Sequence, residues 1–169
     1  MSSSTGLWNR LWTTPTELTE PIKYIKETAL KNNVLISLTS IQWQEDEKNE
    51  TELLTKAKMT HENGWDIISY EDTSATGFDG SVTTIKVDDS RNASITREGT
   101  ANSVLSLEIG RKHFCQYGTP YGNLQIGVYT HAIENTLAEN GRLYLKYTLD
   151  LNSSYLSDNE IIMTVQAQN

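Results

Sequence analysis

The chain reads as an all-β protein: a closed antiparallel meander β-barrel of about eight to ten strands, preceded by a short helical segment. Three observations predict this. From Val34 onward the apolar residues recur with a period of two, the mark of strands that bury one face. The alternating runs are short and separated by turn chemistry, of which Asn63-Gly64 is the clearest hairpin signal. No helical period interrupts them, so successive strands are expected to be antiparallel neighbours.

The expected strands cover residues 34–43, 51–61, 65–73, 81–88, 92–98, 103–109, 112–117, 122–132, 141–151 and 160–167. Between them lie Phe78-Asp79-Gly80, Asp88-Asp89-Ser90, Gly99, Gly110, Asn140-Gly141 and Asn152-Ser153-Ser154, residues that tolerate positive φ or bond their own backbone. The first part of the chain follows another rhythm. Leu7, Trp8, Leu11 and Trp12 share one side of a helical turn that Pro15 ends. A second helix starts with Thr19 as cap, Glu20 and Pro21, carries Ile22, Ile25 and Ala29 as an apolar stripe, and stops at Asn32-Asn33. Residues 1–33 are therefore expected as a helical extension and residues 34–169 as the barrel domain.

Composition narrows the partners. A formal charge of −8 and a pI near 4.8 disfavour nucleic acid and anionic membrane, since phosphate binding needs a basic field. The lone Cys115 excludes an intrachain disulfide, no apolar run has the roughly 20 residues a membrane helix needs, and residues 1–15 lack a secretory pattern. A cytoplasmic protein is expected. Four apolar side chains together, Leu7, Trp8, Leu11 and Trp12, are costly to expose. They are expected to cover a barrel end, or to meet a protein partner or a second copy.

Strand parity assigns faces. Leu143, Leu145, Tyr147, Leu149 and Leu151 share one, as do Leu124, Ile126, Val128 and Thr130. Thr83 travels with Ile85 and Val87, and Arg97 with Ile95; Trp65 and Ile67 are expected to carry Ser69 and Glu71 inward. The inner wall thus holds Glu71, Thr83, Arg97, Thr130 and Tyr147, an unusually polar set for a core.

Several runs, in order, resemble a known family: Ile68-Ser69-Tyr70-Glu71-Asp72, Thr83-Thr84-Ile85-Lys86-Val87, Ile95-Thr96-Arg97-Glu98-Gly99, Tyr117-Gly118-Thr119-Pro120-Tyr121-Gly122, Val128-Tyr129-Thr130 and Leu143-Tyr144-Leu145-Lys146-Tyr147. Together they look like the YwiB-like family of uncharacterised bacterial proteins with a calycin (lipocalin-like) barrel. The resemblance covers roughly residues 34–167, and residues 1–33 depart from it. It implies the fold, and marks Tyr70, Glu71, Thr83, Arg97, Gly99, Tyr117, Thr119, Pro120, Gly122, Thr130 and Tyr147 as recurring family positions; it implies no activity.

Glu71 and Arg97 are the sharpest candidate pair. Charges on an inner wall cost several kcal/mol unless paired, so the two are expected to meet, with Tyr70 or Tyr147 supplying hydroxyls. One reading is a salt bridge that sets strand register; the other is an anchor for a carboxylate, which the guanidinium fork fits. Tyr117 and Tyr121 belong to a bend that either closes the sheet or presents them to a ligand at the rim. His113 and Cys115, two apart on one strand, fall short of the four ligands of a closed metal site and stand too far apart for Cys–His activation. Neither metal nor cofactor is expected.

Three functions compete. A barrel binding a small polar or carboxylate-bearing molecule leads, with Glu71, Arg97, Tyr70, Thr83, Tyr117, Thr130 and Tyr147 as contacts. A filled barrel acting as a protein-interaction scaffold is the alternative. An enzyme using Glu71, Arg97 and a tyrosine is weaker, since the chain has no phosphate-binding glycine loop and no nucleophile elbow.

Overall fold

The computed structural model describes residues 33–119 and 121–167. The helical expectations for the stretch before Asn33, including Leu7, Trp8, Leu11 and Trp12, lie outside the described residues, as does Pro120. Ten strands follow one another: β1 (Asn33–Gln44), β2 (Glu47–Glu62), β3 (Trp65–Glu71), β4 (Ser81–Val87), β5 (Asn92–Gly99), β6 (Ser103–Glu108), β7 (Lys112–Thr119), β8 (Gly122–Thr136), β9 (Arg142–Leu151) and β10 (Ser154–Ala167). One helical turn, α1 (Leu137–Asn140), links β8 to β9. Every neighbour is antiparallel and β10 returns to pair with β1, so the meander closes and leaves no edge. No helix among the described residues is long and apolar enough to cross a membrane.

Turn chemistry acts where it was expected. Asn63 and Gly64 both take positive φ, at 53° and 83°, the backbone of a two-residue hairpin matched to strand twist. Asn152 and Ser153 do the same at 51° and 68° between β9 and β10. Expected strand limits moved mainly where strands are long. β10 starts at Ser154 rather than residue 160, because the tight Asn152-Ser153 turn lets pairing begin at once, with a bulge between Tyr155 and Ser157. β8 runs on to Thr136 through a second bulge between Thr130 and Ala132.

In a meander the turns alternate between two rims. The turns after β1, β3, β5, β7 and β9 form the upper rim; those after β2, β4, β6 and β8 form the lower one. The lower rim is tied across. The second bulge brings the tail of β8 to the opposite wall, where Asn135 Nδ2 donates to Asp66 Oδ2 on β3 at 2.9 Å and to the Asp88 carbonyl at 2.8 Å. β8 and β3 stand five places apart in the ring of ten, directly opposed. Above this tie Ile36, Met59, Ile68, Ile85, Leu107, Leu143, Leu145 and Met163 are almost wholly buried and fill the interior. At about 1.5–3 kcal/mol for each large apolar side chain, they are the main source of stability.

Parity held for most strands and failed on β3. Ile68 and Tyr70 are buried there, together with Asp66, while Glu71 is exposed. The reason is tertiary. Trp65, Ile67 and Ile68 put apolar residues on both faces, and pairing decides: Ile68 stands opposite Met59 and Ile85, both inward. The outer face has its own partners: Ser69 Oγ lies 2.8 Å from Thr84 Oγ1, and Lys86 Nζ sits 5.9 Å from the Trp65 ring centroid. Buried Asp66 is bound by Asn135 and by His61 Nδ1 at 2.8 Å.

Gly99 tests the packing of the upper rim. Its φ is 130°, and a Cβ there would stand 2.5 Å from the Gly80 carbonyl oxygen. Gly99→Ala is expected to cost about 1–3 kcal/mol, read as a lower urea midpoint at unchanged slope. Gly64→Ala, with positive φ but no atom within 4 Å of the added methyl, is expected to cost less.

Candidate functional site

Near the upper rim the inner wall turns polar. The β3–β4 connection brings Asp72 under the rim, since it continues the inward series Asp66, Ile68, Tyr70. The Asp72 side chain is wholly buried and accepts hydrogen bonds from Thr83 Oγ1 at 2.6 Å and Thr76 Oγ1 at 3.0 Å. Arg97, inward on β5, donates through Nε to Thr83 Oγ1 at 3.1 Å and, more weakly, to Asp72 Oδ2 at 3.4 Å. Register explains the meeting: Thr83 pairs with both Tyr70 and Arg97 across neighbouring strands.

Arg97 therefore has an acidic partner, as expected, but it is Asp72 and not Glu71. The correction follows from the parity of β3, which sends Glu71 into solvent beside exposed Val82. The inward acid stands one residue later as Asp72, missed because the expected parity of residues 65–73 puts Trp65, Ile67, Ser69 and Glu71 inward and so sends Asp72 outward.

The guanidinium is held on a second side. Its carbon lies 3.7 Å from the Phe78 ring centroid, a stacking contact supplied by the same loop that carries Asp72. With Nε engaged and the plane against Phe78, the two Nη groups remain without a hydrogen-bond partner among the described residues. The Arg97 side chain keeps 16% of its surface exposed, so water reaches it.

Three tyrosines complete the cluster. Burial, with the Asp72 charge adding to it, pushes the Tyr70 hydroxyl up to about 12. Burial raises Tyr147 further, against the opposing pull of the Arg97 charge. Tyr117 is half-buried, packs on the core and also raises Tyr147, so the cluster spans the interior from β3 and β5 to β7 and β9. Thr130 pairs with Tyr147, and its hydroxyl is buried with no hydrogen-bond partner among the described residues. Of the expected residues, Tyr70, Thr83, Arg97, Tyr117, Thr130 and Tyr147 thus line the interior and Glu71 does not.

The remaining candidates have local partners. Tyr121 is 99% exposed at the rim, while Thr119 braces that turn by donating to the Gly122 carbonyl at 2.6 Å. Cys115 Sγ accepts the Ser106 N–H at 3.2 Å, and His113 Nε2 lies 3.0 Å from Glu108 Oε1. Each serves strand pairing.

Two measurements check the cluster. Arg97→Leu strands the buried Asp72 carboxylate and is expected to cost about 3 kcal/mol, the low end for such a loss because Thr76 and Thr83 still donate. Adding Asp72→Asn should recover much of it, whereas Glu71→Gln should stay within about 0.5 kcal/mol; additive effects of Arg97→Leu and Asp72→Asn would separate the two residues. The second concerns alkali. A tyrosine raised on folding stabilises fully below its unfolded value near 10, and that stability is lost as pH climbs toward the folded value. Spectrophotometric titration should therefore show Tyr70 and Tyr147 ionising late, together with Tyr144, whose hydroxyl is also pushed up to about 12 by burial and by Glu160, with unfolding setting in between about pH 10 and 12; Tyr70→Phe should lessen this loss.

Comparisons with known proteins place this geometry. A solved structure, the crystal structure of the YwiB protein from Bacillus subtilis, superposes with a TM-score of 0.64 at 16% identity, covering 85% of this chain and 98% of that one. At that identity the likeness establishes the barrel fold alone. No curated protein matches the sequence. The model of the family described as domain of unknown function DUF1934 matches residues 36–163, from the second inward residue of β1 to buried Met163 on β10. More than half of the sequence lies within that match, and the chain belongs to the DUF1934 family.

Proposed function

We propose that the barrel binds a small molecule with a carboxylate or similarly compact anionic head, received at the upper rim by Arg97. The observation that carries this reading is the guanidinium itself: Nε engaged by Thr83 and Asp72, plane against Phe78, both Nη groups unengaged among the described residues. Such a group is already oriented, so little rotamer freedom is lost when a carboxylate takes its two N–H bonds. The hydroxyls of Tyr70 and Tyr147 stay protonated at neutral pH and serve as neutral donors. Thr130, buried without a hydrogen-bond partner among the described residues, adds a polar group facing the same interior.

Asp72 opposes an anion but does not cancel the site. Taking an effective dielectric of about 20, attraction at about 4 Å from Arg97 is about 4 kcal/mol, and repulsion at about 7 Å from Asp72 is about 2 kcal/mol. The balance favours binding, and the ligand's bonds to the fork add to it. Glu71, outside the wall, has no part.

A second reading has an observation in its favour. The lower half is filled by Ile36, Met59, Ile68, Ile85 and Leu107, so a ligand is confined to the upper end, and a barrel serving only as a scaffold needs no ligand.

Thermal unfolding separates the two. Paired probes differing only in charge, butyrate against butyramide and benzoate against benzamide, are added in excess. At one hundred times its dissociation constant a ligand stabilises by about 2.7 kcal/mol, a rise of roughly 5–10 °C for a chain of this size. The carboxylates should raise the midpoint and the amides should not. Arg97→Lys, which keeps charge but loses the fork, should weaken the effect, and Arg97→Gln should remove it. Equal shifts for acid and amide, or shifts that survive Arg97→Gln, would leave the scaffold reading in front.

A further inference from the structure

The outer wall carries a second feature, independent of the barrel interior. A shallow hollow of about 440 Å³ lies across β8, β9, β10 and β1, lined by Trp43, His131, Lys146, Asp158 and Glu160. Register places them together: Trp43 pairs with Asp158, Asp158 with Thr148, and Lys146 with Glu160. The two bulges stand on either side, one between Thr130 and Ala132 and one between Tyr155 and Ser157. His131 stands outward next to inward Thr130, as alternation requires, and the first bulge leaves it outside the register with β9.

Its polar groups are linked across strands. Thr148 Oγ1 donates to Asp158 Oδ1 at 2.5 Å, so it receives the Nε2–H of His131 at 2.7 Å. Neutral His131 is therefore the Nε2–H tautomer with Nδ1 free to accept. Tyr129 meets its ring edge-on at a centroid distance of 5.0 Å. Tyr155 shares its one hydroxyl proton between the Trp43 carbonyl at 3.2 Å and the other oxygen of Asp158 at 3.3 Å, and Tyr144 donates to Glu160 Oε1 at 2.8 Å. Exposed side chains are ordinarily solvated one by one; these are oriented as a group around a concavity with an aromatic wall.

The geometry points to a saccharide-binding site on this outer wall, with Trp43 against the apolar face of a sugar ring and His131, Lys146, Asp158 and Glu160 bonding its hydroxyls. Charge selects the class. One ammonium against two carboxylates leaves a formal −1 with His131 neutral, which repels anions. A cation would compete with Lys146 for carboxylates that Thr148, Tyr155 and Tyr144 already engage. A neutral ring of hydroxyls, each both donor and acceptor, matches a lining that mixes acceptors with donors. Half-buried Trp43 offers the flat apolar surface beside them.

The test is an amide-shift titration of the full chain with neutral methyl hexopyranosides and their disaccharides, glycerol serving as control. Saturable shifts confined to outer-face residues of β8–β10 and β1 are expected, weakened at least tenfold by Trp43→Ala and by Asp158→Asn. Arg97→Gln should leave them unchanged, which separates this site from the interior one. Tighter binding of the disaccharides assigns a glycan chain, and equal binding assigns a free sugar; either supports the site. Shifts that match those with glycerol, persist in Trp43→Ala, or cluster around Arg97 would overturn it.

Discussion

The pairing of β1 with β10 is the constraint on which the rest depends. It runs from Val34 opposite Ala167 to Trp43 opposite Asp158 and turns a ten-stranded ribbon into a ring. Closure removes both edges, and it divides every strand into an inner and an outer set. A polar side chain on the inner set then loses access to water except at a rim. It must find a protein partner or cost the fold several kcal/mol.

The inner polar groups are arranged accordingly. At the lower end Asp66 is bound by His61 and by Asn135 from the opposite wall. At the upper end Asp72 is bound by Thr76, Thr83 and Arg97. The two ends differ in consequence. Asn135 has its amide donors taken up, which makes the lower network a tie across the barrel. Arg97 has donors to spare among the described residues and a partly wetted side chain, which leaves the upper network with bonds still to offer.

Bulges connect the inner and outer stories. The irregularity in β8 moves the inward set from Thr130 to Ile133 and lets the strand tail cross the lower end, and outward His131 stands at that shift, bonded to Thr148. A regular strand would put Ala132 rather than Ile133 on the inner face. Gly127 works in a similar way on the outer wall. Having no side chain, it leaves room above β8 for Lys112 on β7 to reach Asp150 on β9 at 2.7 Å.

The sequence by itself determined the strands and most of their faces. Alternation in Leu143–Leu151 and Ser103–Ile109 is unambiguous, and Asn63-Gly64 and Asn152-Ser153 adopt the positive φ their composition favours. These are local effects, so they are legible locally. Thr83, Arg97, Thr130 and Tyr147, four of the five residues that parity placed on the inner wall, followed, because each shares a strand with clear apolar neighbours. Only tertiary structure decided β3, where Trp65, Ile67 and Ile68 satisfy either face, and pairing with Met59 and Ile85 chose the one that buries Asp66 and exposes Glu71. It also decided the partner of Arg97, the tie from Asn135 to Asp66, and the hollow that Trp43 and His131 both line. Each joins residues distant in sequence, and the register of a closed ring is a property of all ten strands together.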